Sequence, residues 1–288
     1  VEEMNLKVLN ERLIFGVFGL CVFLVVGIVL SLLALIFANG LPVIDPDFLL
    51  RPPEGGMLAG GISSAIAGTL MLMFLTVAFS LPIGIGAAIY LSEYTDNVDA
   101  RVIRGIRVAI NNLAGVPSIV YGLLGLGLFV LFLNLRFNLL SAALTLSILT
   151  LPVIIAASEE AIKSVPRTYR EASLALGASK WETIRNVVLP AALPGIMTAC
   201  ILGLSRAAGE TAPLLMTGVA YYLPQVSLDI FRQFMALSTH IFFMATQSPN
   251  PELTRPIQYG AIVVLLLIVL SMNMSAILIR SYFRKKMG

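Results

Sequence analysis

The feature that most constrains this chain is a set of apolar runs long enough to cross a membrane. Residues 13–38 and 57–92 contain no Asp, Glu, Lys or Arg. A helical crossing of the hydrocarbon core takes about 20 apolar residues. Lipid offers no partner to backbone N–H and C=O groups, so such runs form helices rather than isolated strands. Four more runs, 108–133, 139–158, 191–209 and 257–279, make six spans in all. The run 57–92 would be about 54 Å long as one helix, which is too long for one straight crossing. Its span is therefore expected near 66–92, with an irregular or surface-lying lead-in and a kink at Pro82. The first run exceeds a signal-peptide core and lacks a clear A-x-A site, which marks it as an uncleaved anchor. Composition agrees: only 12% of the 288 residues are charged, about half the soluble norm.

The cations are distributed unevenly. The N-terminus, the 93–107 loop, the 159–190 loop and the C-terminus carry 14 of the 19 Lys and Arg. These include Lys7, Arg12, Arg284, Lys285 and Lys286. The opposite loops hold Arg51, Arg136, Arg232 and Arg255. The positive-inside rule then places both termini in the cytoplasm.

The loop 159–190, "EEAIKSVPRTYREASLALGASKWETIRNVVLP", has its own start and stop signals. Pro166 can open a helix and Gly177 can end it. Ser179 with Glu182 forms a capping-box pattern for a second helix, which leads into the fifth span through Pro190 and Pro194. Tyr169, Ala172, Ser173 and Leu176 fall on one small, mostly apolar stripe, with Arg167, Arg170 and Glu171 off it. Trp181, the only tryptophan, sits at the edge. The loop reads either as a plain surface hairpin or as a docking surface for a soluble partner, and the docking reading is preferred.

Arg206 and Glu210 stand inside the fifth apolar run, in "GLSRAAGETAPLL". Their spacing puts them one turn apart on one helix face. Arg206 lies about 22 Å along a helix that enters near Ala191. The pair could be a structural ion pair. It could also be an anion site, since a guanidinium offers parallel charge-assisted hydrogen bonds to oxyanions. Or Glu210 could compete with a passing anion for Arg206. Intramembrane ionisable residues are functional by default, which favours a role in a path. Ser118 and Tyr121 could touch that path, and Asn273 fits a helix–helix hydrogen bond. Asn111 and Asn112 are expected near the interface. Cys21 and Cys200 are expected to be small buried hydrophobes. His240, the only histidine, is expected to be a partly exposed loop residue with no metal or catalytic role.

Glu171, Ala172, Ser173, Gly177, Val187, Leu189 and Pro190 together closely resemble the EAA loop of binding-protein-dependent ABC importers. Ser173 stands in place of the second alanine and Val187 in place of isoleucine. "PPEGGM" (52–57), "LPIGIGAAIYLSEY" (81–94), "GVPSIVYGLLG" (115–125), "LPVIIAASEEAIKSVP" (151–166) and "RAAGETAPLL" (206–215) resemble the A-type membrane subunits of high-affinity phosphate importers. Sulfate and molybdate permeases share the R-A-x-G-E core.

This resemblance implies an all-α membrane protein with six transmembrane helices and the MetI-like fold of type I ABC importer permeases. It implies two parts: 1–56, with leader, first span and external loop, and a permease core, 57–288. The coupling residues would be Arg170, Glu171, Ala172, Ser173, Gly177 and Trp181. The substrate path would hold Arg206 and, on weaker grounds, Glu210, Ser118 and Thr211. The outer loop 211–256, with a surface helix within 229–247, would meet a solute-binding protein. The implied assembly adds a second homologous permease and a dimer of cytoplasmic ATPases in a prokaryotic inner membrane. The chain lacks G-x-x-x-x-G-K-[ST], so ATP and Mg would be bound by the ATPases. No catalytic residue, metal site or nucleic-acid partner is expected. The alternatives are another tetrahedral oxyanion (sulfate, molybdate or tungstate) or an ion-coupled secondary transporter.

Overall fold

The computed structural model describes residues 2–95 and 98–287, with side chains for 13–95 and 98–282. Lys7, Arg12, Arg284, Lys285 and Lys286 lie outside the described side chains. Among the described residues, five helices are long and apolar enough to cross a bilayer, and a pair bent by 99° makes a sixth if it is taken as one broken span.

The chain opens with α1 (Glu2–Gly40), which is apolar on every side over 13–38. It packs mainly on the last helix and leaves its other sides for lipid. Cys21 is exposed there rather than buried, because no helix covers that side. The short helix α2 (Pro46–Leu50) is capped by Asp45, whose Oδ1 accepts from the Phe48 N–H at 2.6 Å. A small antiparallel hairpin follows, β1 (Pro53–Glu54) with β2 (Ala59–Gly60). Helix α3 (Ser63–Glu93) starts slightly earlier than expected and continues through Pro82.

The run 108–133 is not one straight span. Helix α4 (Ala100–Ala114) stops at Gly115, and α5 (Ser118–Gly125) restarts after Pro117, continuing as a π-helical stretch to Phe132. Proline carries no N–H and disfavours helix at Val116 before it, so an uncharged run conceals a broken backbone. Six crossings stand when this bent pair is taken as one.

Helix α6 (Leu139–Lys163) is the most buried of the spans. Asn138 caps it, accepting from the Ser141 N–H at 2.7 Å. Its principal neighbours are α3 and a later span, α9 (Leu189–Gly209). Ile154 fits two notches, at Gly84 on α3 and Gly203 on α9, where a Cβ would collide with it. Ser147 Oγ donates to Thr76 O at 3.0 Å, adding a polar tie between α3 and α6.

Next come α7 (Arg167–Ala175), α8 (Lys180–Thr183) and α9 (Leu189–Gly209). A π-helical stretch joins the last two, so residues 180–209 form one apolar helix of 30 residues. Then follow α10 (Ala212–Leu215), α11 (Leu237–Thr246) and α12 (Pro251–Met287). Asn273 accepts from Ser205 Oγ at 2.9 Å, the expected link between α9 and α12.

The outer loop differs from expectation. Its helix covers only 237–246, and Leu237, Thr239, Phe243 and Met244 are buried rather than lying on a surface. Leu237, Phe243 and Met244 join Phe48, Met57, Met235 and Val264 in an apolar cluster. His240 is 1% exposed, and among the described residues neither ring nitrogen has a hydrogen-bond partner. The expectation of partial exposure fails because α11 folds inward against α3 and α12. Burial lowers the His240 pKa to about 4.

Candidate functional site

Two charged regions lie towards opposite ends of the 180–209 helix. The first is the hairpin between α6 and α9. Pro166 takes an extended backbone and starts α7. At the other end Gly177 has φ +85°, its N–H donates to Leu174 O, and the Ala178 N–H donates to Ser173 O. This is a Schellman termination, with glycine at the left-handed position. The capping box is formed: Ser179 N–H donates to Glu182 Oε2 at 2.8 Å, and Glu182 N–H donates to Ser179 Oγ at 3.3 Å.

No residue of α7 is buried. Leu176 is 90% exposed, and Tyr169, Leu174 and Trp181 are about half exposed. Glu171 and Ala172 are exposed as well. Two residues of α7 turn inward instead. Ser173, expected on the outer stripe, shares a 2.9 Å hydrogen bond with Thr183. Arg170 pairs with Glu93, the last residue of α3, at 2.7 Å. Nearby, Arg107 and Lys163 both pair with Glu159. An open cleft of about 600 Å3 adjoins the hairpin, lined by Glu93, Lys163, Arg167, Arg170 and Glu171 among others.

The second region lies at the end of α9. The helix stops at Gly209, before Pro213, and Glu210 is already extended. Arg206 Nε and Glu210 Oε1 are 3.7 Å apart, beyond hydrogen-bond length. Their side chains are 30% and 15% exposed. Ser238 Oγ donates to the Glu210 carbonyl at 2.9 Å, which ties this point to α11. Tyr121 of α5 lies within electrostatic reach of Arg206, and its hydroxyl donates to Leu113 O across the break, at 2.8 Å. Thr211 is half-buried at the start of α10. Ser118 is half-buried at the start of α5.

Sequence reasoning missed the pairing of Glu93 with Arg170 and of Arg107 with Glu159. A hint was present in Glu93, a carboxylate closing a long apolar run at a helix C-terminus, where negative charge is unfavourable.

The family model described as "Binding-protein-dependent transport system inner membrane component" matches residues 80–288. The probable ABC transporter permease protein YqgI of Bacillus subtilis is 33% identical over 99% of both chains. The phosphate transport system permease protein PstA 1 of Mycobacterium tuberculosis is 37% identical, over 77% of this chain and 71% of its own. Among solved structures, a chain of the inward-facing MetNI methionine ABC transporter aligns with a TM-score of 0.59 at 19% identity. That alignment covers 77% of this chain and 95% of the other, and speaks to the fold alone.

Proposed function

Because this chain belongs to the family of binding-protein-dependent transport system inner membrane components, we propose that it is the phosphate-conducting subunit of an ATP-driven importer. Family membership makes it an ABC permease subunit and leaves the ion-coupled secondary transporter without support. The observation that carries the substrate is the kinship with permeases named for phosphate transport, at 37% identity in Mycobacterium tuberculosis and 32% in Xylella fastidiosa. Arg206 suits that cargo, since its guanidinium has donors to offer an oxyanion. Glu210, close but not hydrogen-bonded, is a competing carboxylate that keeps the anion from binding too tightly.

In this reading the chain lies in a prokaryotic inner membrane with both termini cytoplasmic, and performs no chemistry itself. A second, homologous permease completes the path. Two ATPases bind ATP and Mg below, and a phosphate-binding protein docks outside. The hairpin 159–190 serves as the EAA loop. Its exposed Tyr169, Glu171, Ala172, Leu176 and Trp181 meet the ATPase, and ATP-driven closure moves α7 and switches access to the path. Ser118 and Thr211 border the path.

The test is rescue of labelled phosphate uptake in cells lacking only this subunit, with excess sulfate or molybdate as competitors. Uptake that survives the competitors supports phosphate. Uptake abolished by one of them transfers the cargo to that oxyanion, which one guanidinium alone would also accept.

A further inference from the structure

Arg170 lies within the hairpin that would face the ATPase, yet it is turned into its own chain. Four of its five N–H donors are in use. Nε and Nη2 donate to Glu93 Oε1 at 3.1 and 2.7 Å. Nη1 donates to Val165 O at 2.7 Å, and Nη2 also donates to Ile162 O at 2.9 Å. Ile162 lies in the last turn of α6 and Val165 two residues beyond its end, a region where backbone C=O groups run short of intrahelical partners. Glu93 ends α3, whose last turn holds no basic residue. A carboxylate is disfavoured at a helix C-terminus unless a cation answers it. Arg170 supplies that cation, so one guanidinium joins α7 to the ends of α3 and α6.

A second set of ties runs alongside. Lys180, at the base of the 180–209 helix, places Nζ 5.2 Å above the ring of Tyr94, next to Glu93. The Ser173–Thr183 hydrogen bond closes the hairpin on itself. The end of α3 thereby holds both arms of the hairpin. Arg206 lies 26 residues beyond Lys180 on the same helix, a span of about 39 Å.

We propose that Arg170 and Glu93 form a clamp that makes α7 move as one body with the ends of α3 and α6, so that Arg170 stays inside its own chain throughout the transport cycle instead of reaching the ATPase. This rests on the coupling role proposed above for the hairpin. Arg170 is then a positioning residue. The clamp converts displacement of α7 into displacement of α3 and α6, the two helices that pack most extensively on each other, rather than into bending of the loop.

The test uses the whole importer in proteoliposomes, with labelled orthophosphate uptake and ATP hydrolysis measured on the same sample. Wild-type chain that fails to capture an ATPase overturns the coupling reading and the clamp together. With capture established, Glu93→Gln is expected to retain the ATPase and keep hydrolysis within about twofold. Phosphate moved per ATP should fall at least tenfold. Wild-type uptake, or uptake and hydrolysis falling together with the amount of complex, overturns the clamp, since a merely structural pair leaves that ratio unchanged. A second arm covers misfolding. In a chain without Cys21 and Cys200, Glu93→Cys and Arg170→Cys are joined by a short bismaleimide. The joined pair is expected to transport at least fivefold better than the unjoined pair. A joined pair that transports no better shows that the contact must open during the cycle, and overturns the proposal.

Discussion

Arg170 and Arg206 are both partly buried, and both have a carboxylate nearby, but their surroundings differ. Arg170 makes hydrogen bonds of 2.7–3.1 Å to Glu93 and to two backbone carbonyls. Arg206 has one carboxylate at 3.7 Å and no hydrogen bond from its guanidinium among the described residues. A guanidinium whose donors are occupied fastens elements together. One whose donors are free can take up a passing anion. Position along the chain does not separate the two, since both arginines lie in or beside stretches resembling parts of ABC importer permeases. Their hydrogen-bond inventories differ, and the two proposed roles rest on that difference.

The largest effect on stability is expected at the clamp. Arg170→Met leaves Glu93 without its partner and should cost about 3–5 kcal/mol. Thermal unfolding of the purified complex would show it, and adding Glu93→Met should recover most of the loss. A cost under about 1 kcal/mol would place Arg170 with ordinary surface pairs and erase the contrast with Arg206.

The outer lobe provides a comparison of a different kind. The His240 pKa is lowered by burial to about 4, so the folded state holds fewer protons than the unfolded one. Stability is complete above about pH 6.5 and is lost as pH falls towards 4, by about 2 kcal/mol at pH 5. Melting temperatures at pH 7.5 and 5 should show this loss for the wild type and a smaller one for His240→Leu. Equal losses would assign the acid sensitivity to other groups.

At Gly177 the effect is smaller and local. Gly177→Val places a β-branched residue at φ +85°, a strain of about 1–2 kcal/mol. The spans should fold while ATPase co-purification weakens. Undiminished capture would detach docking from the hairpin's termination. The smallest stability change is expected for Arg206→Gln, below about 1 kcal/mol, because a loose, partly exposed pair contributes little. A loss approaching that of Arg170→Met would make Arg206 a second fastener.

Much of this architecture was legible in the sequence, and the exceptions have physical causes. Uncharged runs marked the spans because lipid demands apolar helices. Pro166, Gly177, Ser179 and Glu182 marked the hairpin because caps and left-handed glycines are local devices. The break at Gly115–Pro117 was hidden because no charged residue divides the run 108–133. The Glu93–Arg170 pair joins residues 77 positions apart, and no local pattern reports such a meeting. Facing rather than type misled the reading of Ser173, which fits an outer stripe by helical spacing but bonds Thr183. His240 was misjudged for a similar reason: a lone histidine in a loop carries no sign that the loop folds inward. For Arg206 and Glu210, spacing indicated the neighbourhood, but the end of α9 at Gly209 sets the 3.7 Å gap.

The most direct test of the central claim is labelled phosphate uptake by cells carrying Arg206→Gln, compared with wild type at equal membrane abundance and equal ATPase capture. Uptake reduced at least tenfold, with the complex intact, is the result predicted for a free guanidinium in the phosphate path. Uptake equal to wild type would contradict it, and would leave the most prominent intramembrane charge of this chain without a part in transport.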